Sequence, residues 1–284
     1  MLKFSLYDNR ILGILTMKRI LFVITICLFA VKLSADNSNR TYRAVYGFEY
    51  TKDSINSTKG YDILYLELYG DHSFCFSKYT WELDSIINSP HGEKLYDELL
   101  TASLLKDGPK AGTYPHRRST FMVSKYPDNR SIITKDYCDN EYYQYCDSMA
   151  DFVWNITDSI KIIDGMSVIN AQCAYHGRLW SVWFCPDLPW SDGPWKFCNL
   201  PGLIIEARDK DELYVFKLVS LNECNHPVLD WCKNAKRTQR KEFLNMRYKS
   251  LKNNLIRYRS ELGIDTQTNI DTRYLDGLEP DFKQ

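Results

Sequence analysis

A chain of 284 residues with 36 basic and 36 acidic side chains carries no formal net charge, and 44% of it is hydrophobic. It lacks the basic excess of a polyanion-binding protein, so nothing in its charge points to a nucleic-acid partner. Nine cysteines, seven tryptophans and an aromatic content of 14% make the placement of thiols and rings the main question.

Residues 1–16 have the look of an upstream start, and the pattern changes at Met17. Lys18-Arg19, an apolar stretch from Ile20 to Val31 and Leu33-Ser34-Ala35 read as the basic, hydrophobic and cleavage regions of a signal peptide. The hydrophobic region is shorter than the about 20 residues of a membrane span. Cys27, preceded by Thr25-Ile26, is a poor lipoprotein site. The expectation is export to the periplasm or cell envelope, with residues 1–35 as extension plus signal peptide and 36–284 as one domain. The leader holds five basic residues and one acid, so the remainder is acidic by about four charges. Eight cysteines remain: Cys75, Cys138, Cys146, Cys173, Cys185, Cys198, Cys224 and Cys232. An even count behind an export signal makes all eight disulfide candidates, with the pairing left open among 105 connectivities.

In chain order, Tyr42 to Tyr50 reads as a first strand and Asp53 to Gly60 as a polar loop. Ile63 to Tyr69 alternates, with Leu64, Leu66 and Leu68 on one face, and turns at Gly70-Asp71-His72 into Ser73–Ser77. Ser89-Pro90 with Glu93 predicts a helix to about Lys106, with Leu95, Leu99 and Leu100 facing inward. A hairpin follows, from Ser119 to Lys125 and Arg130 to Lys135. Tyr137 to Asp147 holds four tyrosines and two cysteines in a polar setting, and Phe152 to Ile156 reads as a short strand. Val168–Tyr175 and Arg178–Cys185 form a hairpin around His176-Gly177. Leu203–Ala207 and Leu213–Leu221 follow, and Arg237 to Arg259 closes the chain as a helix with Phe243, Met246, Leu251 and Leu255 inward. The pattern predicts an α+β fold, mainly antiparallel β. The architecture expected is a strongly curved, half-barrel-like sheet packed on two helices, one of them C-terminal.

Between the last two hairpins lies Gly193-Pro194-Trp195-Lys196-Phe197-Cys198-Asn199-Leu200-Pro201-Gly202-Leu203-Ile204. Pro201-Gly202 fits the centre of a type II turn, and Leu203-Ile204-Ile205 a buried strand launched from it. The segment resembles the signature of the GLPGLI family, exported proteins of Gram-negative bacteria whose activity is not established. Gly165, Cys173, Gly177-Arg178 and Trp183 fall where that family shows its Gly, Cys, Gly-Arg and Trp. Asn199 stands where the family has glycine, a mild departure because asparagine tolerates the left-handed conformation.

Trp180, Trp183, Trp190 and Trp195 crowd the same region, and both sides of the Arg178–Cys185 strand are apolar. These rings either pack the core or wall a groove. The groove reading takes Trp183, Trp190, Trp195, Phe197, Asn199, Pro201 and Gly202 as the site for an apolar small molecule or an envelope protein partner. It expects a cavity beside Trp183, Trp195 and Phe197. No hydrolase, nucleotide-binding or zinc spacing stands out, so no catalytic residue, metal or cofactor is assigned. The basic stretch Lys233 to Arg259 reads as a solvated helix face or a contact for an anionic membrane surface. The function expected is non-catalytic binding, with a structural accessory of an outer-membrane assembly or a motif-less hydrolase as alternatives.

Overall fold

A computed structural model describes residues 40–53, 58–108, 116–261 and 277–283. The leader and its cleavage site lie outside them, as does most of the acidic tail.

The alternation that opens the chain builds β1 (Tyr42–Asp53), with Ala44, Tyr46 and Phe48 buried on one face. From β1 the chain runs outward as a meander: β2 (Thr58–Leu68), β3 (Ser73–Ser77), β4 (Met122–Tyr126), β5 (Ser131–Cys138) and β6 (Glu141–Ser148). It then crosses to the opposite edge and returns through β7 (Asn155–Ile163), β8 (Met166–Tyr175), β9 (Arg178–Cys185), β10 (Leu203–Asp209) and β11 (Tyr214–Glu223). The return brings β11 against β1, with Phe48 opposite Phe216. A last short strand, β12 (Lys236–Arg237), pairs parallel with β6, and the other pairings are antiparallel. The result is one open twelve-stranded sheet, order β12-β6-β5-β4-β3-β2-β1-β11-β10-β9-β8-β7.

One face of this sheet carries the main core. Leu64, Leu66, Trp180, Val182 and Phe216 project onto it, and Trp195, Phe197, Cys198 and Leu200 of the signature loop pack there too. The Phe48 and Phe216 rings stack at 4.3 Å. On the other face, Phe74, Phe76 and Met122 meet Val228, Trp231 and Cys232 from the segment after β11.

Among the described residues three α-helices complete the fold, one more than expected. α1 (Lys78–Ile87) is capped by the Ser77 hydroxyl, which accepts from the Thr80 amide. It follows β3 without a break and hides its start from a reading based on turn residues. α2 (Gly92–Asp107) lies where predicted, but Leu95 is 42% exposed and Leu99 is also exposed, so the inward stripe assigned to it is not buried. α3 (Arg240–Glu261) seats Phe243 and Leu244 against Tyr145 of β6. The predicted inward Leu251 stays exposed at the helix flank. Strand β6 was read as a polar stretch because its tyrosines and acids mask the alternation. Among the described residues no helix is long and apolar enough to cross a membrane.

The disulfide expectation is not met. All eight cysteines after the leader are free thiols. Across the ladders Cys75 faces Leu66 and Val123, Cys138 faces Glu141, Cys146 faces Ile133, Cys173 faces Trp180 and Cys185 faces Leu203. None of these positions sets one thiol opposite another. Cys198 belongs to the loop, and Cys224 and Cys232 follow β11.

Candidate functional site

The signature loop owes its shape to three backbone features. Trp195 has φ 53°, a strained value for a bulky residue. Its amide points to the Cys75 sulfur at 3.2 Å, and the Phe197 amide donates to Pro194 O at 3.3 Å. Asn199 takes φ 70°, the left-handed region its side chain tolerates, and its Nδ2 donates to Met149 O at 2.5 Å. Pro201-Gly202 departs from the expected type II turn. The Gly202 amide donates to Leu200 O at 2.8 Å, closing a three-residue turn on Pro201, while the Leu203 amide donates to Leu188 O. Gly202 has φ 153°, and a Cβ there would meet Cys185 O at 2.2 Å, so glycine is needed for space as well as conformation.

Two buried lysines fasten this loop. Lys125 of β4 donates to Gly193 O at 2.6 Å and Phe197 O at 3.1 Å and pairs with Asp192. Lys196 is 0% exposed and lies 2.7 Å from Asp147 Oδ2 and 2.5 Å from Glu279 Oε1. Arg240 of α3 joins the cluster, 3.5 Å from Asp147, 3.7 Å from Glu279 and doubly bonded to Asp281. His176, at its hairpin turn, is largely covered and lies 3.2 Å from Asp281. Loop, helix and C-terminal segment are thereby tied at one buried point. Such a cluster holds only while every charge keeps its partner, because an unpaired buried charge is costly.

Above this point a cavity of about 280 Å³ opens between the sheet and α3. Phe48, Phe121, Tyr145 and Tyr214 form its sheet wall, and Trp195 contributes from the loop. Leu244, Tyr248 and Leu251 of α3 lie opposite, with Leu278 and Phe282 from the C-terminal segment. Two buried acids reach it, and both are engaged. Asp136 accepts from Thr120 Oγ1 and from Arg247 Nη1, each at 2.5 Å. Glu279 is held by Lys196. Burial pushes the Tyr145 phenol up, although the nearby Lys196 pulls it back, so it stays a neutral donor. The surface is that of a binding pocket, mostly apolar rings with a few fixed polar groups.

Of the binding-site residues expected from the sequence, Trp195 alone lines this cavity. Phe197 is 0% exposed inside a filled cluster with Trp180, Trp195 and Phe216. Trp183 lies on the opposite face of the sheet with the Lys161 ammonium 4.2 Å from its ring. Trp190 packs half-buried on Tyr42 at 5.0 Å. Asn199 and Pro201 are exposed but border no cavity, and Gly202 is buried against β9. The cavity therefore sits nearer α3 than expected, and the loop does not display a wall of rings to solvent. Asp136, Glu279 and Arg247 were missed. Their signal was faint: Asp136 keeps phase with buried Ile132 and Thr134 along β5. Among the described residues no cluster of His, Cys, Asp and Glu is placed to hold a metal ion.

No family model matches this chain, and no curated protein does. Among solved structures the fold is similar to PNGF-II, described in two crystal forms. The P21 form aligns with TM-score 0.50 at 14% identity over 74% of this chain and 34% of that one. The C2 form gives TM-score 0.50 at 15% identity over 74% and 33%. This chain thus spans about a third of the PNGF-II chain, and the likeness is one of fold.

Proposed function

We propose that this chain is an exported cell-envelope protein of the GLPGLI type that binds an apolar ligand between its sheet and α3. The observation that carries the reading is the cavity itself, walled by rings from β1, β6 and β11 and by Phe121 just before β4, and roofed by α3. In this reading the sheet is a strongly curved half-barrel. Support comes from contacts of one loop with strands far apart in the sheet: Lys125 of β4, Cys75 of β3 and Tyr46 of β1, whose hydroxyl donates to Ile204 O at 2.6 Å where the loop enters β10. Export rests on the leader pattern and not on cysteine pairing. Docking of an envelope protein on the loop loses support, since its rings are buried. An anionic membrane contact would use the exposed lysines of α3, because Arg240 and Arg247 are turned to Asp281 and Asp136.

The test is saturable binding of N-phenyl-1-naphthylamine, a probe that brightens in apolar surroundings. One site per chain is expected, and Leu251→Trp, which can swing a ring into the cavity from the exposed flank of α3, should abolish it. Equal probe binding by a folded Leu251→Trp protein would refute the site.

A further inference from the structure

We infer that the ligand is a single-chain amphiphile ending in an anionic group, with its chain among the cavity rings and its head on Lys52 and Arg118. The inference rests on the cavity being a binding site and adds the chemistry of its occupant. Five charged residues line it: Lys52, Arg118, Asp136, Arg247 and Glu279. The two acids are already matched, Asp136 with Arg247 and Glu279 with Lys196. Lys52 and Arg118 form no ion pair with any carboxylate among the described residues.

These two cations gather at one place. The Arg118 Nη1 donates to Tyr61 O at 2.5 Å, and the Lys52 side chain runs beside the adjoining Gly60. Lys59 is close by, its Nζ donating to Thr51 Oγ1 at 3.2 Å and Glu212 O at 3.0 Å. The nearest buried acid on that strand, Asp62, is occupied by Ser77 Oγ at 3.0 Å, the Ser119 amide at 2.9 Å and the Ile63 amide at 2.7 Å. Arg118 is also pre-set, its guanidinium 3.7 Å from the centre of the Tyr79 ring, which leaves further N–H groups to meet an oxyanion. One end of an apolar cavity therefore carries two cations that no carboxylate pairs with among the described residues. The volume, just below the about 300–1,000 Å³ typical of small-molecule pockets, selects one chain over two.

The experiment is displacement of bound N-phenyl-1-naphthylamine by dodecanoate, dodecyl phosphate and dodecanol. Both anions should displace it at concentrations about tenfold or more below the alcohol, as expected for a charge-assisted contact. Lys52→Gln and Arg118→Gln should each raise the anion concentrations and leave dodecanol unchanged. Lys52 is exposed and forms no ion pair among the described residues, so its variant reads the contact even where Arg118→Gln disturbs the fold. Equal displacement by the alcohol and the anions overturns the headgroup assignment while leaving the cavity intact. Probe that never binds, or binds without displacement by any of the three, overturns the binding reading beneath it.

Discussion

Replacing Lys196 with methionine removes an ammonium from a sealed cluster and keeps most of the side-chain volume. Asp147 and Glu279, 2.7 and 2.5 Å from the lysine nitrogen, are then left with Arg240 at 3.5 and 3.7 Å. Breaking a buried pair by removing one partner costs about 3–5 kcal/mol, and the surviving arginine places the loss near the lower end, about 3 kcal/mol. For a chain of this size that is a fall in melting midpoint of about 6–12 °C. Burial alone would pull the Lys196 pKa down, but Glu279, Tyr145, Tyr175 and Asp147 more than reverse it, and it stands well above the ordinary lysine value. A cation raised in this way stabilises the fold at every pH below its unfolded value of about 10.4 and loses that contribution as pH climbs further. The gap between wild type and variant should be widest near neutrality. It should begin to close above about pH 10.4, where the unfolded chain's lysine deprotonates first, and vanish only once pH passes the raised folded value. Urea denaturation followed by tryptophan fluorescence measures it, with Trp195 a neighbouring reporter. A loss under about 1 kcal/mol at pH 7, or a gap that does not change with pH, refutes the buried-cluster account.

Other outcomes follow from the same geometry. Gly202→Ala places a methyl against Cys185 O and should destabilise by more than about 2 kcal/mol, whereas a variant that melts with wild type contradicts the tight turn. Arg178→Ala strips Asp209 of a 2.9 Å partner and Gly277 O of its two donors. It should lower stability by about 3 kcal/mol and speed amide exchange across 277–283, and unchanged exchange there would dissociate Arg178 from that segment. In native protein, thiol reagents should react quickly at the exposed Cys146, while Cys75, Cys173 and Cys198, whose thiols burial pushes up to about 12, stay silent until unfolding. Denatured, unreduced protein lacking residues 1–35 should titrate eight thiols, and fewer would mean that disulfides form after all.

Much of the sheet was legible because its turns carry explicit signals. Gly70-Asp71-His72, Pro127-Asp128-Asn129 and His176-Gly177 each mark a hairpin, and Tyr175 pairs with Arg178 across the last. Elements that lack such marks were lost: α1 begins directly after Ser77, and β6 carries three tyrosines, a glutamine and two acids where aliphatics would show the alternation. The aromatic crowding around the loop was visible, but its direction was not. Period-2 alternation places Trp180 and Trp183 on opposite faces and cannot say which face the loop covers. Trp195 reached the cavity because a positive φ turns it there, a feature no composition reveals. The charge cluster depends on Asp147, Lys196, Arg240 and Glu279, which are far apart in sequence and meet only when the chain's end folds back over the sheet.

The most direct measurement is paramagnetic broadening of amide resonances by a doxyl-labelled fatty acid bound to the protein. Broadening should centre on Phe121, Tyr145, Leu244 and Phe282 and spare Val228 and Trp231 on the far face of the sheet. Broadening confined to the exposed Ile160 and Ile162 of the edge strand β7, or absent altogether, would contradict a ligand site between the sheet and α3.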